Sequence, residues 1–244
     1  MSYAMTHLKI ADGFVRAKAI DASEYFMLGS ISPDAVHSRS DFSFELKARA
    51  HDMQPEEKWG QVYKEAAMNI WYDRIRVFYK DHFDRISRDS DPRALAFLQG
   101  YTHHMLVDVF NCKLLYAPNL IRYDFEVDRM RDRYRADCII QDNYIYQNWE
   151  SSEQVWNSLK ETANRPEIDE ILAKVGLDHF ICADDIKKSI DFNLGGYLKV
   201  DKADLKGLEM VSEEGTKRFV EVVTAETVDR LYSFPDVNGV FSME

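Results

Sequence analysis

The sequence predicts an all-α protein. Glycine and proline are sparse, at 10 and 6 of 244 residues, and the chain has few alternating runs of Val, Ile and Thr, the pattern that indicates a half-buried strand. Apolar residues instead recur at steps of three and four, which is the spacing of one face of a helix. We therefore expect a single all-α domain over residues 1–244.

The N-terminal region contains two predicted helices followed by a loop. An apolar stripe at helical spacing predicts the first helix, over residues 6–20. The stripe consists of Leu8, Ala11, Val15 and Ala19. Ser23 is expected to cap a short second helix that ends near residues 28–29. Residues 30–34 are predicted to be a loop, because Pro33 disfavours helical geometry at the residue before it.

Longer helices are predicted for the rest of the chain. Pro55 is expected to open one of them, because proline suits the first turn of a helix. Asp89 precedes the next helix, which we expect to end before Pro118. The remaining predicted helices cover residues 123–135, 137–160, 166–175, 182–199 and 213–231. The pair Gly195-Gly196 is expected to break or end the fourth of these.

Composition limits the classes of partner and the location. The net charge of −11 argues against a nucleic-acid-binding surface and against adsorption to anionic membranes. It leaves room for a small phosphorylated substrate, since a metal ion can supply local positive charge. Three widely spaced cysteines without a CxxC motif speak against a disulfide framework and a thiolate zinc site. With no signal peptide and no transmembrane run evident in the sequence, we expect a cytoplasmic protein.

The most informative residues for function are His104 and Asp108, which lie within the apolar run 94–110. A spacing of four places both side chains on one face of a helix, one turn apart. An imidazole and a carboxylate on an apolar helix are costly unless something pairs with them. Either a divalent ion or a mutual hydrogen bond satisfies that requirement.

Four segments of the chain, taken together and in order, resemble the bacterial zinc-dependent phospholipase C family, which shares an all-α fold with the S1/P1 nucleases. The segments are Thr6-His7-Leu8, Leu28-Gly-Ser-Ile-Ser-Pro-Asp34, Lys47-Ala-Arg-Ala-His51 and Gly100-Tyr-Thr-His-His104-Met-Leu-Val-Asp108. The resemblance covers residues 3–115, a metal-binding half, and leaves the helical half 120–244 less assignable.

The resemblance implies a set of metal ligands and a hydrolytic reaction. The implied ligands are His7, Asp34, His51, His104 and Asp108. They are expected to hold one or two Zn²⁺ ions, although Mn²⁺ or Fe²⁺ suits the same donors. The bound metal activates a water that attacks a phosphoester or phosphodiester. Asp34 is the candidate for taking the proton from that water, and Tyr101, one turn before His104, is a candidate for contact with a substrate phosphate.

Several other polar residues are assigned less direct roles. No histidine lies between His104 and His179, where the family carries further ligands. Three carboxylates at steps of four follow instead, but interleaved arginines favour a solvated surface helix with ordinary ion pairs. These carboxylates are Asp124, Asp128 and Asp132. His37 is expected to be exposed or beside the ligands, and His103 to be a core residue, since it points about 100° away from His104.

Two alternative functions remain open from the sequence. The adjacent pair His51-Asp52, with Asp108 downstream, also matches the order of metal ligands in HD-domain phosphohydrolases. Alternatively, the chain is a non-catalytic helical protein that binds a metal for structure or serves as a scaffold. An open coordination position for water distinguishes a catalytic metal from a structural one.

Overall fold

The computed structural model describes residues 3–53, 64–86, 91–124, 126–199 and 201–234. Eleven α-helices, one 3-10 helix and two π-helical turns follow one another in these ranges, and no β-strand occurs in them. The prediction of an all-α protein is confirmed.

The helices of the first half surround the predicted ligands. They are α1 (Ala4–Lys18), α2 (Ser23–Gly29), α3 (Phe44–Ala50), α4 (Glu65–Ile86), α5 (Pro92–Asn111) and α6 (Ala117–Arg122). The second half contains α7 (Val127–Asn148), α8 (Ser152–Ala163), α9 (Ile168–Val175), α10 (Ala183–Phe192) and α11 (Glu213–Tyr232). The 3-10 helix covers Ser32–Ser38, and the π-helical turns Cys112–Tyr116 and Asn193–Tyr197 follow α5 and α10.

The region between α2 and α3 is more regular than predicted. The 3-10 helix Ser32–Ser38 replaces most of the loop expected at residues 30–34. Pro33 lies in the first turn of that helix, where its missing N–H removes no helical hydrogen bond. The start of α2 also differs, because Ser23 is its first helical residue and Ala22, at a φ of 54°, precedes it.

The predicted break near residue 136 is wrong. A single helix, α7, runs through this region, since no glycine or proline lies between Val127 and Asn148. The chain turns instead at residues 149–151, where the N–H of Ser152 donates to the carbonyl of Trp149. Gly195 and Gly196 lie in the π-helical turn that ends the α10 segment, as predicted.

Helix α5 starts within the segment 89–93 that was expected to open it, but its end differs from the prediction. The helix starts at Pro92, and Asp91 caps it by accepting from the N–H of Arg93. Its last turn passes through the π-helical turn directly into α6, where Pro118 occupies the first turn and does not end a helix. The predicted starts at Pro55 and Asp89 lie outside the described residues.

Helix α5 is the centre of the fold. Every residue from Ala96 to Asn111 is buried, and helices α1, α2, α4, α9 and α11 all pack against it. The main apolar core includes residues from Met5 to Phe234, so both halves of the sequence contribute to it. A helix buried on all sides explains why apolar residues in α5 are not confined to one stripe.

Helices α2 and α5 cross at two glycines. A Cβ atom on Gly100 would overlap the backbone carbonyl of Phe26, and a Cβ atom on Gly29 would overlap that of Phe97. The two backbones are therefore in direct contact, which only glycine permits at these positions.

One further observation concerns location. Within the part of the chain that the structure describes, no helix has the combined length and apolarity that a bilayer crossing requires.

The three cysteines are free: Cys112 and Cys138 are buried, and Cys182 is exposed. Burial raises the pKa of the Cys112 and Cys138 thiols to about 12, so neither forms a reactive thiolate at neutral pH.

We predict that Gly100→Ala lowers the free energy of unfolding by about 3 kcal/mol or more, because the added methyl group forces two backbones apart. Gly195→Ala is the matched control, since a Cβ atom there meets no atom within 4 Å. Urea denaturation followed by circular dichroism measures both. Equal midpoints for the two variants would contradict the close crossing.

Candidate metal centre

Five side chains from four elements converge beside α5. His104 and Asp108 lie on α5 itself, and His7 comes from α1. Asp34 lies on the 3-10 helix, and His51 follows the last residue of α3. All five ligands that the resemblance implied are therefore brought together, and we call them the His/Asp cluster.

One part of the cluster has the spacing of ligands around a single ion. Asp34, His51 and His104 each offer a donor atom within 4.8 Å of the others. Nε2 of His51 lies 3.3 Å from Nε2 of His104 and 3.4 Å from Oδ1 of Asp34. Nε2 of His104 lies 4.0 Å from Oδ2 of Asp34. Neighbouring ligand atoms around a tetrahedral zinc ion are about 3.3 Å apart, so the donors match this spacing closely.

Asp108 connects this group to His7. Its Oδ2 lies 3.7 Å from Nε2 of His51 and 3.8 Å from Nε2 of His104. Its Oδ1 lies 3.6 Å from Nε2 of His7. The carboxylate thus faces the first ligand group with one oxygen and His7 with the other.

Backbone carbonyls orient two of the imidazole rings. Nδ1 of His51 lies 2.9 Å from the carbonyl oxygen of Lys47, and Nδ1 of His104 lies 2.8 Å from that of Ser30. A carbonyl only accepts hydrogen bonds, so each Nδ1 is protonated and is the donor of its hydrogen bond. In the neutral ring, Nε2 then keeps its lone pair and faces the cluster. This is the arrangement of a histidine prepared to bind a metal.

The same geometry disfavours a simple hydrogen bond between His104 and Asp108. Burial, together with the neighbouring His7, lowers the pKa of His104 from 6.5 to about 3, so the ring is neutral at pH 7. Its only proton is on Nδ1 and bonds to Ser30, so Nε2 has none to donate to Asp108. Two acceptors face each other at 3.8 Å, an arrangement that a cation between them stabilises.

The angles between the rings determine which histidines can share an ion. His51 and His104 are inclined by 67°, so the lone pairs of their Nε2 atoms can converge. His7 and His104 are stacked, with ring centroids 3.8 Å apart and planes within 7° of parallel. Their lone pairs lie in nearly parallel planes, and one ion cannot lie in both. Because Nε2 of His104 has a single lone pair, an ion shared with His51 would use it.

Both carboxylates of the cluster are ionised at neutral pH. Burial opposes the ionisation of Asp34, but the charge of Lys47, together with the contacts to His37 and His51, outweighs it and holds the pKa of Asp34 well below its usual value. Burial likewise opposes the ionisation of Asp108, while a hydrogen bond from His7 keeps its pKa below the usual range. The cluster therefore contains two negative charges and suits a divalent cation.

Solvent reaches the cluster from the side of Asp34. His7, His51, His104 and Asp108 are at most 2 % exposed, whereas 32 % of the Asp34 side chain is exposed. His37, whose Nε2 lies 3.4 Å from Oδ1 of Asp34, is 43 % exposed. This agrees with the prediction that His37 lies beside the ligands. The partly exposed edge of the described cluster therefore lies at Asp34 and His37.

Lys47 was not identified from the sequence as a site residue, yet it belongs to the cluster. Its Nζ lies 3.3 Å from Oδ1 of Asp34 and 3.0 Å from Nε2 of His37, and the residue is only 4 % exposed. The available signal was its spacing, since Lys47 precedes His51 by one helical turn and so lies on the same face of α3.

Asp142 holds the start of α1 in place from the other half of the chain. Its carboxylate accepts from the backbone N–H groups of Met5 and Thr6, at 2.7 and 3.0 Å, and from the hydroxyl of Thr6 at 2.7 Å. These N–H groups have no partner within the helix, so Asp142 caps α1. His7 follows directly, and its position depends on this cap. No local sequence pattern indicates a contact across 136 residues.

Tyr101 has a structural role and is not part of the His/Asp cluster. Its side chain is fully buried, and its hydroxyl donates to the carbonyl of Ala50 at 2.8 Å. Burial also raises its pKa well above 10. The predicted contact with a substrate phosphate therefore finds no support, and Tyr101 instead anchors the backbone next to His51.

The remaining polar candidates lie away from the cluster. His103 is buried against the rings of Phe14 and Phe26, which agrees with its predicted core position. The side chains of Asp128 and Asp132 on α7 are 87 % and 75 % exposed and contact Arg131, while Asp124 is exposed in the turn before α7. Among the described residues, no group with metal-ligand spacing includes the three carboxylates.

The residue that an HD-domain protein would use as a ligand points elsewhere. Asp52 lies 3.7 Å from Arg74 at the protein surface, while His51 faces the cluster. Neither group of possible metal ligands in the described part of the chain includes Asp52.

Comparison with known proteins adds no relative, because no family model, no curated protein and no solved structure matches this chain. The resemblance to zinc-dependent phospholipases thus rests on the four segments and their ligand residues.

We predict that Asp142→Ala lowers the free energy of unfolding by about 2 kcal/mol, because it leaves two buried N–H groups at the start of α1 without their acceptor. Asp128 lies on the exposed face of α7, the helix that also carries Asp142. Asp128→Ala is therefore the matched control and should change the free energy of unfolding by less than about 0.5 kcal/mol. Chemical denaturation measures both variants. Equal losses in the two would show that Asp142 does not cap α1.

Proposed function

We propose that this chain is a metal-dependent hydrolase that cleaves a phosphoester or phosphodiester with a metal-activated water. One observation carries the proposal: three buried imidazoles and two ionised carboxylates converge, and the side chain of Asp34 alone among them is partly exposed. A metal held there keeps an edge that water and a small substrate can reach, which is the property of a catalytic metal.

The donor set fits one tightly held ion. His51, His104 and Asp34 provide three ligands, and Oδ2 of Asp108 is placed to provide a fourth, so a water would take a further coordination position on the side of Asp34. When bound, Zn²⁺, Mn²⁺ or Fe²⁺ lowers the pKa of a coordinated water to about 7 and offsets negative charge on phosphoryl oxygens. Nε2 of His7 faces the other oxygen of Asp108, so in this arrangement His7 supports that carboxylate or contributes to a second, weaker position.

Other groups of the chain orient the ligands, exclude water and accept a proton. The carbonyls of Lys47 and Ser30 keep the rings of His51 and His104 in the ligating tautomer. The apolar surroundings of α5 exclude bulk water from four of the five ligands. Asp34, ionised and at the solvent edge, accepts the proton that the attacking water gives up.

The choice of phosphorus esters as substrates rests on the resemblance to the zinc-dependent phospholipase C family. His7, Asp34, His51, His104 and Asp108 occupy the positions of that family's ligands in the four segments. The net charge of −11 does not oppose a phosphorylated substrate, because the metal supplies positive charge where the substrate binds.

A structural metal site is the second candidate function. The deep burial of His7, His51, His104 and Asp108 favours it, since structural ions are enclosed by protein ligands. The two candidates differ in whether a water-accessible coordination position exists on the side of Asp34.

We predict that protein purified without chelator or nickel contains about one equivalent of Zn, Mn or Fe, and that His104→Ala removes nearly all of it. Elemental analysis measures the metal, and circular dichroism verifies that the variant is folded. Asp52→Asn is the matched control: it neutralises the neighbour of His51 but keeps a residue that tolerates the φ of 50° found there. Its metal content should equal that of the wild type.

Two results would overturn this part of the proposal. Metal-free wild-type protein that gains no thermal stability from added zinc would exclude a metal centre. Loss of the metal in Asp52→Asn would instead support the HD-type assignment.

We further predict that the metal-loaded protein hydrolyses p-nitrophenyl phosphate or bis(p-nitrophenyl) phosphate, and that Asp34→Asn lowers kcat by about 100-fold, the usual contribution of a general base. Both proteins are assayed at equal metal content, since Asp34 is also a ligand. If the loaded wild type is no faster than the metal-free His104→Ala variant on either ester, the structural reading is preferred.

A further inference from the structure

Lys47 places a fixed positive charge at the open edge of the His/Asp cluster. Its ammonium group lies 3.3 Å from Oδ1 of Asp34, the solvent-exposed ligand, and 3.0 Å from Nε2 of His37. The lysine is 4 % exposed, so its long side chain is held along the protein interior and its position is restricted. Exposed lysines do not have this property.

The helix that carries Lys47 also orients His51. The backbone carbonyl of Lys47 accepts the hydrogen bond from Nδ1 of His51, one turn further along the chain. Lys47 and His51 therefore lie on the same turn at the end of α3, and both side chains reach the cluster from there.

The charges in the cluster indicate what this cation does. One divalent ion neutralises the carboxylates of Asp34 and Asp108, and the charge of Lys47 then remains in excess at the edge that solvent reaches. A carboxylate that shares its charge with a metal also attracts the ammonium group less strongly. The loaded centre thus suits an additional anion, although the chain as a whole has a net charge of −11.

We propose that Lys47 binds the phosphoryl oxygens of the substrate and serves as the second cation of a centre that holds one metal ion. This inference rests on the proposed function. In two-metal hydrolases the two ions lie about 3.5–4 Å apart, and the second ion stabilises charge on the phosphoryl oxygens. Here an ammonium group beside Asp34 provides the corresponding charge, and the ligand it selects is a tetrahedral phosphate group.

The ring geometry of the cluster points the same way. Nε2 of His104 has one lone pair, and the near-parallel ring of His7 cannot share its ion. Nε2 of His7 instead faces Oδ1 of Asp108, at 3.6 Å. A centre with a single ion needs another source of positive charge to hold a phosphate, and Lys47 is the one cationic residue in contact with the cluster among the described residues.

The test is the binding of inorganic phosphate to the metal-loaded protein, measured by isothermal titration calorimetry. Metal content is determined first in each sample. We expect Lys47→Met to keep about one ion and to bind phosphate at least 10-fold more weakly than the wild type, the effect of losing a charged hydrogen bond. Lys47→Arg, which keeps the charge, should restore most of the affinity.

Lys80→Met is the matched control, because Lys80 is an exposed lysine on α4 that pairs with Asp84 and lies outside the cluster. Its phosphate affinity should equal that of the wild type. A loaded Lys47→Met variant that binds phosphate as tightly as the wild type would overturn the inference and leave the hydrolase proposal intact.

Two other outcomes also count against the inference. Loss of the metal in Lys47→Met would show that Lys47 positions Asp34 and does not act through the anion. Two tightly bound equivalents of metal in the wild type would remove the need for a second cation. A wild-type protein without metal would overturn the proposed function itself, which separates the failure of that proposal from the failure of this one.

Discussion

The close crossing of α2 and α5 is the packing constraint on which the ligand geometry depends. Because the backbones touch at Gly29 and Gly100, the chain that leaves α2 runs directly against α5. The carbonyl of Ser30 therefore reaches Nδ1 of His104, and the 3-10 helix that follows places Asp34 opposite the same ring. A crossing wider by one methyl group would separate Asp34 from His104, so the packing of these helices determines the spacing of the candidate ligands.

The buried charge of Asp108 makes the cluster unfavourable unless a cation lies within it. Asp108 is ionised, almost fully buried, and faces the Nε2 lone pairs of His51 and His104. In a low-dielectric interior such facing acceptors repel one another unless a proton or a metal lies between them. The only N–H of the neutral His104 ring, at Nδ1, donates a hydrogen bond to the carbonyl of Ser30, so His104 cannot relieve this repulsion. A cation between these atoms satisfies all of them at once.

The sequence predicted the parts of this protein that local patterns determine. The helical class followed from apolar spacing, and the convergence of His104 with Asp108 followed from their separation of four residues on one helix. The cap that Asp142 places on α1 was not predictable, because it joins residues more than 130 positions apart through tertiary packing. The place of Lys47 was missed for a related reason: its spacing was visible, but its burial beside Asp34 depends on the packing of the 3-10 helix against α3.

The stacking of His7 on His104 limits how far the resemblance to zinc-dependent phospholipases extends. Because the two rings are parallel and 3.8 Å apart, His7 would act on a metal centre through Asp108 and not through an ion bound by His104. The two groups of possible ligands in the described part of the chain share His104, whose single lone pair serves one ion. The lysine at the open edge then gains a role in the proposed chemistry, because a single divalent ion that neutralises two carboxylates leaves no positive charge for a phosphate. We infer that the chain resembles that family in the ligands of one metal, and that Lys47 supplies the charge that further metals supply in the family.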